Sequence, residues 1–128
     1  ISDCLVGSEM CIRDSCKAAI DDELDTYSIK WTEKHSCGVV IASEGYPEDY
    51  ESNKKVSIKE NNIKDSKLFH AGTKYENETI LTSGGRVFCA TALGSDLKDA
   101  QKNAYNLVNN VEFDGAFFRK DIGFKGIK

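Results

Sequence analysis

The sequence has 128 residues, of which 40% are hydrophobic and 30% are charged, enough apolar material for one modest core. Its net charge of −4 argues against a dedicated nucleic-acid binder, which normally carries a basic face. No apolar run approaches the roughly 20 residues that span a bilayer, so we expect a soluble protein with no membrane partner.

The cysteines indicate a reducing environment. Five are present, an odd number, with no Cys-x-x-Cys pair and no histidine at zinc-ligand spacing. Cys37 and Cys89 lie in apolar runs typical of strands, where a free thiol behaves as a small hydrophobic side chain. We therefore predict a cytoplasmic location and no metal site.

Residues 1–15 differ from the rest of the chain. They lack the basic start and long apolar stretch of a secretory signal, and they show neither helical nor alternating periodicity. Residues 9–15 resemble translated sequencing-adapter DNA, so we interpret residues 1–15 as a non-native segment. The alternative is a native tail, and neither interpretation predicts a function here.

The first half of the native chain predicts one helix, two strands, a turn and a short third strand. Ala19, Ile20 and Leu24 are spaced for one face of the helix, and the second strand is a β-branched apolar run. In chain order the elements are a helix at residues 16–25, strands at Tyr27–Trp31 and Cys37–Ala42, a turn at Gly45–Pro47 and a strand at Val56–Lys59.

The second half predicts a hairpin, a further strand and a long helix. The helix is capped by Ser95 or Asp96 and carries an apolar stripe along one side. The elements are a hairpin of Lys67–Tyr75 with Thr79–Ser83, a strand at Arg86–Leu93 and a helix at about Leu97–Val111. We predict an α+β fold, with a mostly antiparallel sheet, one long helix and one or two short helices.

Three short blocks place basic or hydrogen-bonding side chains beside glycines, where the main chain can approach an anion closely. They are FHAGT at residues 69–73, SGGRV at residues 83–87 and DGAFFRKDIG at residues 114–123. From the residues alone, a structural histidine, a glycine-rich turn with a solvated arginine and a solvated charged tail remain the common alternatives.

With SEGYP at residues 43–47 and TALG at residues 91–94, these blocks stand in an order that resembles the C-terminal domain of the phosphoribosylamine–glycine ligase (glycinamide ribonucleotide synthetase) family. The resemblance runs from about Trp31 to Lys125. Glu48 and Asp49 precede Tyr50 where the family commonly has a second glycine, which leaves the form of that turn open.

The resemblance implies that the chain is the last part of a larger ligase with an ATP-grasp fold. Residues 16–30 would end the preceding ATP-grasp region or form a linker, and residues 31–128 would form the C-terminal domain. The complete enzyme would join glycine to 5-phosphoribosylamine in purine biosynthesis, with ATP and Mg²⁺ (or Mn²⁺) bound mainly upstream. This chain alone would be inactive.

The resemblance also implies roles for individual residues. It places six on the substrate cleft: His70, Gly72, Thr73, Gly84, Gly85 and Arg86. It places Arg119, Lys120 and Asp121 at the interface with the chain's own ATP-grasp domain, gives Tyr46 and Pro47 a structural role, and implies no catalytic residue here. The main alternative is a free-standing, non-catalytic module that binds an anionic metabolite. A weaker one is a nucleic-acid binder that uses residues 117–120.

Overall fold

The computed structural model describes residues 8–28, 32–60 and 62–127, and the chain divides into two compact units, residues 1–33 and 34–128. The first unit holds helix α1, Ser8–Ile20, followed by a 3₁₀ turn at Leu24–Thr26. Among the described residues, neither α1 nor the helix of the second unit is long and apolar enough to cross a membrane.

Helix α1 lies earlier in the chain than the prediction of residues 16–25. It ends because Asp22 takes a left-handed conformation (φ 60°), so that the Glu23 N–H reaches back to the carbonyl of Ala18 at 2.8 Å. Leu24 therefore falls outside the helix, and the predicted apolar face is wrong: Ala19, Ile20 and Leu24 are all exposed. Of the predicted strand Tyr27–Trp31, residues 29–31 lie outside the described residues, and Tyr27 and Ser28 are not in a strand.

The second unit contains eight strands and helix α2 among its described residues. Four strands form the main sheet in the order β3-β6-β1-β8, with all neighbours antiparallel, and the other four form two small pairs, β4–β5 and β2–β7. The bounds are β1 His35–Ser43, β2 Ser57–Ile58, β3 Ser66–His70, β4 Thr73–Glu76, β5 Thr79–Thr82, β6 Arg86–Gly94, α2 Leu97–Val108, β7 Val111–Glu112 and β8 Ala116–Phe118.

The core lies between α2 and one face of the main sheet. The predicted central strand is confirmed as β1, and its side chains alternate as a strand with one buried face requires. Gly94 and two alanines of β6 meet two alanines of α2, so the helix lies close to the strand. The buried residues here are Cys37, Val39, Ile41, Phe88, Ala90, Ala92, Ala100, Ala104, Leu107 and Val108.

The predicted strand Lys67–Tyr75 is two strands. It breaks at Ala71 and Gly72, after which β4 leaves the main sheet and pairs with β5. The hairpin turn is Asn77-Glu78, whose φ angles of 48° and 59° match the two left-handed positions of a type I′ turn. The sequence pattern shows no interruption at this point, so it did not reveal that β3 pairs with β6 whereas β4 pairs with β5.

Helix α2 begins where predicted but ends three residues early. The Asp96 carboxylate accepts a hydrogen bond from the Asp99 N–H at 2.7 Å and caps the helix. At the other end Asn109 and Asn110 form a turn, and Val111 pairs with Ile58 in the short β2–β7 ladder. The α+β class is confirmed, but α1 and α2 have 13 and 12 residues, so the expectation of a single long helix is wrong.

Residues 119–122 are held against α2 by hydrogen bonds to two side chains of that helix. The Tyr105 hydroxyl donates to the Arg119 carbonyl at 2.8 Å and accepts from the Ile122 N–H at 3.1 Å. The Gln101 amide donates to the Ile122 carbonyl at 2.6 Å. These bonds fix the main chain on both sides of Lys120.

Replacing Gly94 with alanine should lower the free energy of unfolding by about 1–3 kcal/mol, because an added Cβ would lie 2.2 Å from the Ala100 nitrogen. Urea unfolding of the chain measures this. Gly38→Ala is the matched control, since its Cβ would meet only the Cys89 and Thr91 side chains at 3.4 Å. Equal stability of the two variants would contradict this account of the β6–α2 contact.

Replacing Tyr105 with phenylalanine should lower the free energy of unfolding by about 1–2 kcal/mol, because one hydroxyl serves two main-chain groups. Amide hydrogen exchange should also show that the Ile122 N–H loses protection. Tyr75→Phe on the exposed β4 strand should change neither quantity. An unchanged Ile122 exchange rate would show that the hydroxyl does not hold this segment.

Candidate functional site

Two glycine-containing segments cross at the end of the main sheet. The Gly72 N–H donates to the Arg86 carbonyl at 2.8 Å, and the Gly72 carbonyl accepts from the N–H groups of Ser83 and Gly84 at 2.8 and 3.2 Å. A Cβ on Gly72 would lie 2.6 Å from the Arg86 oxygen and 2.8 Å from the Gly84 Cα. Only glycine permits this approach, which brings the FHAGT and SGGRV blocks together.

His70 and Thr73 form a small polar pair beside this crossing. The His70 Nδ1 lies 3.0 Å from the Thr73 hydroxyl, and the imidazole contacts the Phe88 ring edge-on with 4.9 Å between centroids. His70 also pairs with Phe88 in the β3–β6 register, so both residues lie on the sheet face that α2 covers. Two cavities lie on the opposite face of the main sheet, and neither His70 nor Thr73 lines them.

Gly85 and Arg86 meet a tyrosine that the sequence analysis treated as structural. The Tyr46 ring lies against the Gly85 main chain so closely that a Cβ on Gly85 would be 2.0 Å from the Tyr46 Cδ2. The Arg86 guanidinium carbon lies 6.0 Å from the centroid of the same ring, at the outer limit of a cation–π contact. The Ser43 N–H donates to the Gly85 carbonyl at 2.8 Å and ties the two segments.

Two adjoining cavities lie on the sheet face away from α2. We call this surface the open face and define it by Gly38, Val40, Ala42, Cys89 and Phe117. The cavities have volumes of about 530 Å³ and 290 Å³. Three residues line both of them: Val40, Tyr46 and Arg86.

The open face is apolar, and its residues Gly38, Val40 and Phe117 are exposed, although Ala42 is buried. Val40 is 42% exposed and Phe117 is 53% exposed, although both lie in strands of the main sheet. Exposed apolar side chains that adjoin a cavity with charged groups at its border are typical of a surface that another part of a protein covers.

Arg119 lines the smaller cavity together with Arg86, while its guanidinium is held by Asp121. The Nε and Nη2 groups of Arg119 donate to the two Asp121 oxygens at 2.8 and 2.5 Å. These hydrogen bonds lower the pKa of Asp121 and raise that of Arg119. Lys120, the third predicted interface residue, is exposed, as are its two neighbours.

A separate cavity of about 260 Å³ is acidic and already contains its own cation. The Lys54 ammonium lies 2.5 Å from a Glu51 oxygen and 3.0 Å from an Asp114 oxygen. Hydrogen bonds to these two carboxylates raise the pKa of Lys54. Lys54 therefore links Glu51 on its own loop to Asp114 on another.

Within residues 8–28, 32–60 and 62–127, no three His, Cys, Asp or Glu side chains come together as a set that could hold a metal ion. The cysteines described there, Cys16, Cys37 and Cys89, are free thiols. At the smaller cavity two arginines, groups able to bind an anion, lie beside an apolar, partly aromatic wall.

Comparison with known proteins identifies the family of the chain. The family model described as "Phosphoribosylglycinamide synthetase, C domain" matches residues 36–125. The phosphoribosylamine–glycine ligase of Salmonella typhimurium is 46% identical over 117 residues, which cover 90% of this chain and 27% of that protein. The Vibrio parahaemolyticus ligase is 44% identical over 115 residues, covering 89% and 27%.

A solved structure shows the same fold. The crystal structure of the phosphoribosylamine–glycine ligase of Thermotoga maritima matches with a TM-score of 0.69 and 25% sequence identity, over 88% of this chain and 28% of that one. The chain thus spans about a quarter of the length of the relatives that it matches. It belongs to the phosphoribosylglycinamide synthetase C-domain family.

Proposed function

We propose that the chain is the C-terminal domain of a phosphoribosylamine–glycine ligase, in which it forms one wall of the substrate cleft. The observation that carries the proposal is the open face, where exposed Val40 and Phe117 lie beside Arg86 at two cavities. An uncovered apolar face of this kind needs a second layer, and the upstream three quarters of the ligase would supply it.

The proposed reaction joins glycine to 5-phosphoribosylamine in purine biosynthesis. ATP transfers a phosphoryl group to the glycine carboxylate and leaves ADP. The amine nitrogen then attacks the carbonyl carbon, the C–O bond to phosphate breaks, and glycinamide ribonucleotide and phosphate are released. The acyl phosphate must be kept from water, and the open face would help to exclude water from the closed cleft.

Arg86 is the residue that we propose binds substrate. Its guanidinium is exposed at the cavities and would donate two parallel hydrogen bonds to the phosphate of 5-phosphoribosylamine. His70, Gly72, Thr73 and Gly84 would support this edge of the cleft through the crossing at Gly72.

ATP and Mg²⁺ belong to the upstream region in this proposal. The described residues bring no set of metal ligands together. The ATP-grasp fold is likewise proposed for the upstream region and not for the sheet described above.

We also propose the domain boundaries given by the resemblance. Residues 1–15 would be non-native, residues 16–30 would end the upstream region or link to it, and residues 31–128 would form the C-terminal domain. A match over 90% of the chain leaves about a tenth of it outside, so residues 16–30 lie within the matched part, which supports assigning them to the parent protein.

Arg119, Lys120 and Asp121 would contact the ATP-grasp domain at the border of the open face. In support, the Arg119–Asp121 ion pair is exposed while its main chain is fixed by Tyr105. We propose a cytoplasmic protein, in keeping with the free thiols of Cys16, Cys37 and Cys89.

A chimera tests the function. We expect that residues 16–128, placed in the Salmonella typhimurium ligase in place of its matched quarter, will support glycine-dependent ADP formation when 5-phosphoribosylamine is supplied. Arg86→Ala should lower kcat/KM for 5-phosphoribosylamine about 10- to 100-fold through loss of a charged hydrogen-bonding group. The assay is steady-state ADP release.

Lys102→Ala is the matched control, because Lys102 is an exposed cation on α2. It should leave kcat/KM unchanged. A folded chimera that is active but insensitive to Arg86→Ala would contradict the role of Arg86. A folded chimera without ligase activity, together with binding of phosphate compounds by the isolated chain, would favour the free-standing metabolite-binding module.

A further inference from the structure

We propose that Tyr46 is the residue that positions Arg86, acting as a platform beneath the guanidinium. This inference rests on the proposed function, because it assigns a role in the same cleft. Residues 45–47 do not indicate this role, since Gly-Tyr-Pro has the composition of an ordinary turn.

The Tyr46 ring is held from two sides. The Gly85 main chain lies against one side, where a side chain has no room. Tyr50 meets the ring at an interplanar angle of 63° with 6.0 Å between centroids. The Tyr46 N–H donates to the Ser43 carbonyl at 3.1 Å, and the Ser43 N–H donates to Gly85, so the ring and residue 85 share one main-chain framework.

Arg86 differs from Arg119 in what holds it. Arg119 gives two of its N–H donors to Asp121, which neutralises its charge. Across the described parts of the chain, no carboxylate forms an ion pair with Arg86. Its guanidinium instead lies over the Tyr46 ring. A ring orients a guanidinium through its face and leaves the N–H groups at its edge free for a ligand.

Residue 85 controls this arrangement. A methyl group there would collide with three ring atoms, at 2.0, 2.7 and 2.9 Å from Cδ2, Cε2 and Cγ of Tyr46. Gly85→Ala must therefore displace the Tyr46 ring. This substitution disturbs Arg86 while the Tyr46 and Arg86 side chains themselves remain unchanged. The second glycine of SGGRV would thus be required for the ring as much as for the approach of an anion.

The first test uses the chain itself and does not depend on ligase activity. By NMR, Tyr46→Leu and Gly85→Ala should each lower the order parameter of the Arg86 Nε–Hε bond, whereas Tyr75→Leu, a change at a remote exposed tyrosine, should not. An Arg86 side chain that is equally ordered in all of these variants would overturn the proposal.

The second test uses the chimeric ligase. Tyr46→Leu and Gly85→Ala should each raise the KM for 5-phosphoribosylamine about 3- to 30-fold, with a smaller effect on kcat. Tyr46→Phe keeps the ring and should recover most of the loss. In an Arg86→Ala background, Tyr46→Leu should have no further effect, because the residue that it positions is gone.

These outcomes separate the two proposals. If Arg86→Ala has no effect on kcat/KM, the substrate-binding role of Arg86 fails. If Arg86→Ala is impaired but Tyr46→Leu is not, the positioning role alone is overturned. A loss in Tyr46→Leu that is the same with and without Arg86 would show a merely structural role and would also overturn it.

Discussion

The close contact between α2 and β6 is the constraint on which the rest of the second unit depends. Gly94 and the alanines on both elements bring helix and strand together, so the core is completed on one face of the main sheet. The other face keeps Val40 and Phe117 exposed. A sheet with an apolar face that its own helix does not cover is half of a layered structure, and the proposed cleft follows from that.

The two arginines at the smaller cavity differ in what surrounds them. The charge of Arg119 is neutralised by Asp121, and its main-chain carbonyl accepts a hydrogen bond from Tyr105 of α2. This fixed arrangement suits a permanent contact between domains. Arg86 follows two glycines, and its guanidinium lies near an aromatic ring. Among the residues that the structure describes, no carboxylate forms an ion pair with it. Arg86 thus places a positive charge at cavities that apolar residues line in large part, in a chain whose net charge is −4.

The sequence predicted the elements that depend on short-range patterns. The β-branched run of β1 was recognisable, and so was a cap of α2 at Ser95 or Asp96, of which the structure has Asp96, because each signal lies within a few residues. The change of sheet at Ala71 and Gly72 was missed, since it depends on a contact between Gly72 and Gly84 that are distant in sequence. Helix α1 was misplaced because a left-handed Asp22, and not the apolar spacing, sets its end.

In the candidate site too, features set by neighbouring residues could be predicted, and features set by contacts distant in sequence could not. The glycines beside Arg86 were recognisable because they stand next to it in the chain. Tyr46 was not recognisable, since its contact with Gly85 and Arg86 brings together the ends of two strands that pair only in the folded sheet. The face on which His70 lies was also beyond the sequence, because it depends on the β3–β6 register.

The central claim is that the open face becomes an internal wall when the upstream region is attached. Hydroxyl-radical footprinting of the chain alone and of the chimeric ligase tests it directly, with the exposed Tyr75 as the internal reference. We predict that Tyr46 and Phe117 are oxidised several-fold more slowly in the ligase while Tyr75 is unchanged. Equal oxidation of Tyr46 and Phe117 in the two proteins would contradict the account.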